Sequence, residues 1–270
     1  PVPATRPNAA ALAATSRDPL PETRTDPTTA PPSSPGLNAE REGPTQLHPP
    51  VPPAPRPGVL IVSETQTGPQ VYPTLSAACA SAPSGGIIEL HYDGPRPLRP
   101  VRLPGAGLTI RAGAGYRPQI VFAPGAPDTI RSSAALFSLA GGELRLVDVS
   151  VSLHGSAEAA SVALALVELE GGAALRVEHS VLTSACPGAL GDSFARLPAI
   201  VRVVPPAGRE LVAGRANEQS PPAATIELAD SIVRGEATLV DAQAPGPLRL
   251  SWDNGLAACS GRLLHLVENQ

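Results

Sequence analysis

The feature of this 270-residue chain that most constrains its fold is a stretch that occurs twice. Residues 141–150 read GGELRLVDVS and residues 171–180 read GGAALRVEHS, with the same glycine pair and the same Leu-Arg-aliphatic run. Each run alternates apolar and polar residues, which is the period of a β-strand with one buried face. A chain that repeats such a strand is expected to stack its repeats around one continuous core.

Related stretches continue the pattern along the chain. They begin at Leu108, Leu144, Leu175, Ile226 and Leu248, so the spacings are 36, 31, 51 and 22 residues. A second strand closed by a turn precedes most of them, as in ALFSLAGG and ALVELEGG. A fixed unit with connecting loops of variable length is typical of a parallel β-helix, in which each coil stacks on the previous one and loops leave at the turns.

A β-helix makes definite predictions for individual residues. Leu146 and Val177 should point inward and lie one above the other, whereas Asp148, His179 and Asp230 should fall at one corner of successive coils. The main alternative is a β-sandwich of antiparallel hairpins, which are usually joined by Asn-Gly or Asp-Gly turns. The repeated pairs lack these turns, so the pattern favours coiling.

The first 57 residues differ in composition from the rest. They contain 16 of the 34 prolines and no aromatic residue, so they have too little apolar area to offset the entropy cost of ordering. We predict a disordered Pro-rich linker over 1–57 and a β-helix domain over 58–270, with the N-terminal cap and first strands in 58–90. Thr74 is expected to begin a short helix that covers this end of the stack. The other end falls inside a repeat, and we expect the domain to be truncated there.

The run YPTLSAACASAPSGGIIELHYDGP, followed by LTIRAGAGYRPQIVF and LRLVDVSV, resembles the cap and first coils of pectin-lyase-like domains. The likeness is to versions found in large bacterial proteins of the planctomycete type, and it covers about residues 58–270. It implies an all-β fold, a right-handed parallel β-helix with a short N-terminal capping helix. It also implies that such a domain can follow a protein kinase module, although this chain contains no kinase motif.

Composition excludes several classes of partner. The formal net charge is −4 and the arginines are scattered, which argues against nucleic acid. No apolar run approaches the roughly 18 to 20 residues of a membrane-spanning helix. Cys79, Cys186 and Cys259 show neither metal-ligand spacing nor a disulfide framework, so they are interpreted as buried apolar residues, and no metal or cofactor is predicted.

The sequence offers no catalytic constellation. Hydrolases of the resembled fold use two or three carboxylates on adjacent coils, whereas Asp148, Asp230 and Asp241 stand singly. Asp148 and Asp230 are interpreted as turn residues, and His265 as a lone surface histidine. A lyase would need a basic residue such as Arg111, around which no acidic cluster is evident.

The leading functional hypothesis is therefore a non-catalytic β-helix module with a structural or ligand-recognition role, such as glycan binding. The predicted ligand-binding residues are three loop arginines and one aromatic-acidic pair: Arg196, Arg209, Arg215, Trp252 and Asp253. The arginines can grip an acidic polysaccharide, and the tryptophan can stack on a sugar ring. Another protein is the alternative partner.

Two other functions stay open. One is a polysaccharide lyase or hydrolase, and the other is an accessory C-terminal domain of a receptor-like serine/threonine protein kinase. The module is expected to be linked covalently to an upstream one and to work in the cell envelope or outside the cytoplasm.

Overall fold

The computed structural model describes residues 58–103, 105, 107–124, 133–155, 163–186, 197–206, 222–243 and 246–267. The predicted linker lies outside these residues, so its disorder and the domain boundary stay predictions. The described residues form twenty β-strands and one helix of seven residues, an all-β structure.

The strands belong to three sheets, and within each sheet every described pairing is parallel. Sheet A contains β1 (Val59–Val62), β2 (Val71–Tyr72), β3 (Gly86–Leu90), β6 (Leu108–Ala112), β9 (Glu143–Val147), β12 (Ala174–Glu178), β15 (Ala224–Ala229) and β18 (Leu248–Asp253). Sheet B contains β4 (Gly94–Pro97), β7 (Pro118–Phe122), β10 (Ser150–His154), β13 (Val181–Ala185), β16 (Ile232–Gly235) and β19 (Leu256–Cys259). Sheet C contains β5 (Val101–Leu103), β8 (Ser133–Leu139), β11 (Ala163–Glu170), β14 (Ala199–Val204), β17 (Thr238–Ala242) and β20 (Leu264–Leu266).

The order of the strands describes a coil. From β3 onward the chain contributes strands to sheets A, B and C in turn, and each strand pairs with the strand three places later in the chain. The described strands therefore make six stacked turns, consistent with a parallel β-helix. The antiparallel β-sandwich is wrong, because neighbouring strands run in the same direction.

Apolar side chains of successive coils stack in register, as the repeat predicted. Leu144, Leu175 and Ile226 lie opposite one another in β9, β12 and β15. The last predicted anchor differs, since Ile226 pairs with Leu250 and not with Leu248. A shift of two residues leaves the same face of the strand inward, so the core pattern is kept.

One column of the core runs through seven strands of sheet A. Its members are Leu60, Ile88, Ile110, Leu146, Val177, Leu228 and Trp252. Leu146 and Val177 are fully buried, which confirms their predicted inward orientation. Burying a side chain of this size contributes roughly 1.5 to 3 kcal/mol, so the column is a large part of what holds the coils together.

The corner between sheets A and B has the same backbone conformation in four coils. Asp148, His179, Asp230 and Asn254 have φ values of 56°, 47°, 48° and 47°. Asp, Asn and His are the non-glycine residues that most often adopt this left-handed conformation. The predicted corner is thus confirmed, and its residue types follow from the backbone turn.

Buried serines lie directly behind this corner. The Val149 N–H donates to Ser180 Oγ at 3.1 Å, and the Ser180 N–H donates to Ser231 Oγ at 3.3 Å. The two hydroxyls in turn donate to the carbonyl oxygens of Glu178 and Ala229, both at 2.7 Å. The serines therefore satisfy backbone groups that the turn removes from the strand ladders.

A short helix, α1 (Leu75–Ser81), packs near the first strands, and Thr74 precedes it as predicted. The Thr74 hydroxyl accepts a hydrogen bond from the Ala77 N–H at 3.3 Å, and Leu75 and Ala78 are buried. The described part of the chain offers no helix long and apolar enough to cross a bilayer.

The three cysteines are free thiols. Cys186 is buried, whereas Cys79 and Cys259 are only half-buried, so the apolar interpretation holds fully for one of them. Burial raises the pKa of Cys79 to about 12, so this thiol stays protonated at neutral pH.

The core column can be tested by Val177→Asp. The variant places an unpaired charge among aliphatic side chains, so we expect the free energy of unfolding to fall by several kcal/mol. Asp148→Asn keeps a residue that tolerates positive φ and should cost less than about 1 kcal/mol. Thermal unfolding followed by circular dichroism measures both, and equal losses would contradict the inward position of Val177.

Candidate functional site

Four polar side chains form a row across sheet C. Glu168 lies opposite Arg202, Arg202 opposite Asp241, and Asp241 opposite His265, on β11, β14, β17 and β20. We call these four residues the charged row. The residues before and after Arg202, Val201 and Val203, are buried in the core, so alternation turns the row to the outer face of the sheet.

Arg202 is the centre of the charged row. Only 3 % of its side chain is exposed, and its Nη1 and Nη2 atoms donate to the carbonyl oxygens of Ala163 and Leu164, both at 3.0 Å. Nη1 is 3.7 Å from Glu168 Oε2, and Nε is 3.5 Å from Asp241 Oδ2. Burying a guanidinium costs several kcal/mol unless it is paired, and two carbonyl hydrogen bonds and two nearby carboxylates offset that cost, while Nε makes no hydrogen bond.

The row is most open at its last residue, His265. The Asp241 Oδ1 atom is 2.9 Å from His265 Nδ1, and its Oδ2 atom accepts a hydrogen bond from Gln243 Nε2 at 2.8 Å. The exposed fraction of the side chain is 15 % for Asp241 and 33 % for His265. These two side chains therefore offer hydrogen-bonding atoms at the surface while the guanidinium beneath them is held in place.

A second charged pair extends the polar face of sheet C toward the first coils. Arg102 on β5 donates to Glu170 on β11 at 3.0 Å, and 68 % of the Arg102 side chain is exposed. Glu170 is two residues from Glu168, so both carboxylates lie on one face of the same strand.

The sequence contained a signal for this row that strand-by-strand interpretation missed. The strands ALVELE, AIVRVV, TLVDA and LHL each carry a polar residue directly after an aliphatic one. Aligning Val167, Val201, Val240 and Leu264 brings the four polar residues into one column. The sequence did not predict contacts for Asp241 or His265, but the register places them in contact with each other, so neither side chain is isolated.

The residues predicted to bind ligand lie elsewhere. Arg196, Arg209 and Arg215 are outside the described residues, so their role stays a prediction. Trp252 and Asp253 end β18 in sheet A, on a different sheet from the charged row. The structure therefore does not bring these two residues to the row, and as neighbours in a strand they lie on opposite faces of sheet A.

Trp252 belongs to the core column more than to the surface. It is half-buried against the core, and its indole nitrogen is buried without a hydrogen-bond partner. A Cβ atom at Gly255 would lie 2.0 Å from that nitrogen, so the glycine makes room for the ring. Asp253 is exposed. Sugar stacking by Trp252 stays a prediction, and only the exposed part of the ring could contact a sugar.

The corner residues make a short ladder of their own. His179 Nε2 is 3.4 Å from Asp230 Oδ2, and the Asn254 side-chain amide donates to Asp230 Oδ1. These side chains are largely exposed and connect successive coils at the turn. Asp148 and Asp230 lie at this corner, away from Asp241 on sheet C, so the carboxylates considered for hydrolysis are not gathered at one place.

Arg111, considered above as a base for a lyase, has an acidic partner. Its Nε and Nη2 atoms donate to Glu89 Oε1 at 3.1 and 2.5 Å, and His91 Nε2 is 3.1 Å from the other oxygen of that carboxylate. Burial raises the pKa of Glu89, but the hydrogen bonds from Arg111 and His91 outweigh it and leave the pKa below 4.5. His91 also stacks on Tyr116 at 5.0 Å, so this cluster ties β3 to the segments that follow.

Ion pairs cross sheet A in the same manner. Glu178 Oε2 lies 2.6 Å from Arg145 Nη2 on the preceding coil. Its Oε1 atom lies 2.6 Å from Arg176 Nε on the same strand. The Arg145 hydrogen bond lowers the pKa of Glu178 below its ordinary value of 4.5, against the opposing effect of burial. Glu178 thus stabilises the folded state in its charged form.

Metal chemistry and relatives give no further assignment. Within the described residues, no group of three or more His, Cys, Asp or Glu side chains is arranged to hold a metal ion. Comparisons with protein-family models, curated proteins and solved structures find no match to this chain. The function of this chain is therefore inferred from the geometry of the chain's own residues.

The Glu178 ion pairs predict acid sensitivity with a definite sign. Because the folded pKa lies below the unfolded one, the stabilisation is present above about pH 4.5 and is lost as pH falls through the folded pKa. Glu178→Gln should lower the free energy of unfolding by about 1 kcal/mol at pH 7, and the difference from the unmodified protein should shrink in acid.

Urea unfolding at a series of pH values measures this difference. Glu227→Gln is the matched control, because Glu227 makes a longer contact of 3.7 Å with Arg176 and is more exposed. A Glu178→Gln deficit that is the same at pH 7 and in acid would contradict the prediction.

Proposed function

We propose that this chain is a right-handed parallel β-helix of the pectin-lyase-like type that serves as a non-catalytic recognition module. In this proposal α1 covers the first coils, and the charged row on sheet C binds an extended, hydroxyl-rich polymer such as a polysaccharide. The observation that supports it best is the row itself, since four polar side chains from four coils lie in register on one regular sheet.

The chemistry of the row suits sugar hydroxyls. A carboxylate accepts two or more hydrogen bonds, and an imidazole can donate or accept according to its protonation state. Asp241 and His265 present such atoms at the surface. Adjacent strands are about 4.7 to 4.9 Å apart, a spacing comparable to the advance of one pyranose ring along an extended chain. A polymer crossing the strands would therefore meet the polar side chains of the row at strand intervals, with His265 the most open of them and Arg202 buried beneath.

The fixed position of Arg202 favours binding over catalysis. Both carboxylates of the row lie beside the same buried guanidinium, at 3.7 and 3.5 Å, which holds them in place. Glycoside hydrolysis instead needs one carboxyl group that delivers a proton to the leaving oxygen. A carboxylate held against a guanidinium fits a binding face better than it fits a proton donor.

The enzyme alternative has one specific observation in its favour. Glu168 and Asp241 flank Arg202 on β11 and β17, two strand spacings or about 9.5 Å apart along the sheet. This is the upper end of the carboxylate separation in inverting glycoside hydrolases. Release of reducing or unsaturated ends from a polysaccharide would favour this second function.

Binding to an array of neutral and acidic polysaccharides tests the proposal. We expect binding to at least one polymer, and His265→Ala should weaken it about tenfold or more because an exposed hydrogen-bonding group is lost. Glu168→Gln with Asp241→Asn should weaken it further. Glu227→Gln on sheet A is the matched control and should bind like the unmodified protein.

Two results would contradict the proposal. One is binding that neither row variant changes while both retain the thermal stability of the unmodified protein. The other is no binding to any polymer on the array.

The loop arginines make a separable prediction. If Arg196, Arg209 and Arg215 provide the contacts, binding to acidic polymers should fall when all three are changed to Ala, and it should weaken with rising salt. Salt-independent binding that survives the triple change would leave the charged row as the binding face and would favour a neutral polymer.

A further inference from the structure

An arginine occupies the apolar column of sheet B at its first strand. Arg96 on β4 lies opposite Ile120 on β7, and the following strands continue the column with Val151, Leu182 and Val233. These four aliphatic side chains are buried in the core. Because residues in register on parallel strands lie on the same face of a sheet, the Arg96 side chain also leaves its strand on the inner face. The first strand of sheet B thus carries a guanidinium where the later strands carry aliphatic groups.

Arg96 is held between an aromatic ring and an exposed carboxylate. Its guanidinium carbon lies 4.1 Å from the centroid of the Tyr92 ring, a distance at which a cation is attracted to the ring face. Its Nη1 atom is 2.7 Å from Glu64 Oε1, and 65 % of the Glu64 side chain is exposed. Burial raises the pKa of Tyr92 to about 12, so the phenol is neutral at pH 7 and does not compete for the guanidinium as an anion. Tyr92 therefore fixes the guanidinium, whereas Glu64 is a partner that can move away into solvent.

A cavity of about 340 Å³ lies beside Arg96, between α1 and β4. We call it the α1 cavity. Its volume is within the range of small-molecule binding sites. Its apolar wall consists of five side chains of the core: Val62, Leu75, Tyr92, Leu98 and Ile120. This wall is suited to an apolar group of a ligand.

The rest of the lining is polar and carries a surplus of positive charge. It includes two arginines, one glutamate and two hydroxyl groups, from Arg96, Arg99, Glu64, Thr74 and Ser76. Two positive charges and one negative charge give the lining a formal charge of +1. The α1 cavity therefore attracts a ligand with one negative charge.

The strand edge beside the α1 cavity does not suit another strand. β4 is the first strand of sheet B in the described part of the chain. The Gly94 N–H donates to the Arg117 carbonyl oxygen, toward β7. Since backbone direction alternates along a strand, Pro95 and Pro97 are directed to the free edge, and proline has no N–H to donate. An extended peptide would find carbonyl groups but no N–H donors at this edge, so a compact ligand fits the cavity better.

We propose that the α1 cavity binds a small molecule in which one carboxylate is attached to an apolar ring. The carboxylate takes the place of Glu64 on Arg96, whose planar guanidinium donates two parallel hydrogen bonds to it. The ring packs against the apolar wall, and the exposed Arg99 adds a second positive charge at the rim. A single negative charge matches the charge of the lining, which favours a carboxylate over a dianionic phosphate. This site lies on the inner side of sheet B and is independent of the charged row on sheet C.

Calorimetric titration of the full chain tests the proposal with three acids: benzoate, phenylacetate and 3-phenylpropanoate. The amide of each acid is the matched neutral compound. We expect at least one acid to bind with a dissociation constant of about 1 mM or tighter, and its amide to bind about tenfold or more weakly.

Two variants separate a binding role of Arg96 from a structural one. Arg96→Met continues the aliphatic column, so the chain should fold, but the acid should bind about tenfold or more weakly and lose its advantage over the amide. Glu64→Gln should strengthen binding of the acid about twofold to fivefold, because it removes the carboxylate that competes for Arg96. Arg234→Met is the control, since Arg234 is exposed on β16 of the same sheet and the variant should bind like the unmodified protein.

Circular dichroism establishes that each variant keeps its strand content. The proposal would be overturned if none of the three acids binds, or if acids and amides bind equally. It would also be overturned if Glu64→Gln weakens binding, or if a folded Arg96→Met variant binds the acid as the unmodified protein does. An Arg96→Met variant that does not fold leaves the comparison of acid with amide and the sign of the Glu64→Gln effect to decide.

Discussion

Each coil of this chain is hydrogen-bonded to the coils above and below it through parallel ladders, and in-register stacking is the constraint on which the other features depend. It requires that a residue resemble or complement its counterparts in the neighbouring coils. Apolar residues therefore form columns such as the one that contains Leu146 and Val177. Positive-φ residues likewise recur at one corner, from Asp148 to Asn254.

The same constraint makes polar residues interact across coils. A charged side chain on an outer face has neighbours at one strand spacing on either side, so an isolated charge readily gains partners of opposite sign. On sheet A this yields ion pairs between the mostly buried Glu178 and two exposed arginines, Arg145 and Arg176, whose individual contributions are small. On sheet C the central residue is Arg202, which is buried. Its charge must be paired for the burial to be tolerated, so its contacts with the neighbouring coils are required. This difference singles out sheet C as the face with a fixed polar arrangement.

The sequence predicted the buried core residues better than the polar residues on the outer face of sheet C. Period-two alternation identified Leu146 and Val177 as inward residues and Asp148 as a corner residue, because these properties are local to each repeat. The predicted partner of Ile226, Leu248, was wrong by two residues, because Leu250 pairs with Ile226. A two-residue shift leaves the local alternation unchanged, so the sequence pattern does not reveal it. The alternating residues across the corner predict one strand where the structure has two, such as β9 and β10, so each coil contains three strands and not the predicted two.

The charged row escaped prediction because its members are 34, 39 and 24 residues apart, separated by loops of unequal length. Their proximity follows only once the strands of sheet C are aligned. The arginines predicted to bind ligand, Arg196, Arg209 and Arg215, present the opposite case. Their residue type indicates a ligand class, but they lie outside the repeated strands in the sequence, so the repeat predicts no position for them.

A double-mutant cycle on Arg202 and Asp241 tests the in-register stacking of sheet C most directly. Arg202→Met, Asp241→Asn and the combined variant are compared with the unmodified protein by urea unfolding at pH 7. The two residues are 39 positions apart in the chain but in contact in the structure, so the account predicts a coupling free energy of about 1 kcal/mol or more. Effects that add to within about 0.3 kcal/mol would contradict the register and, with it, the binding face.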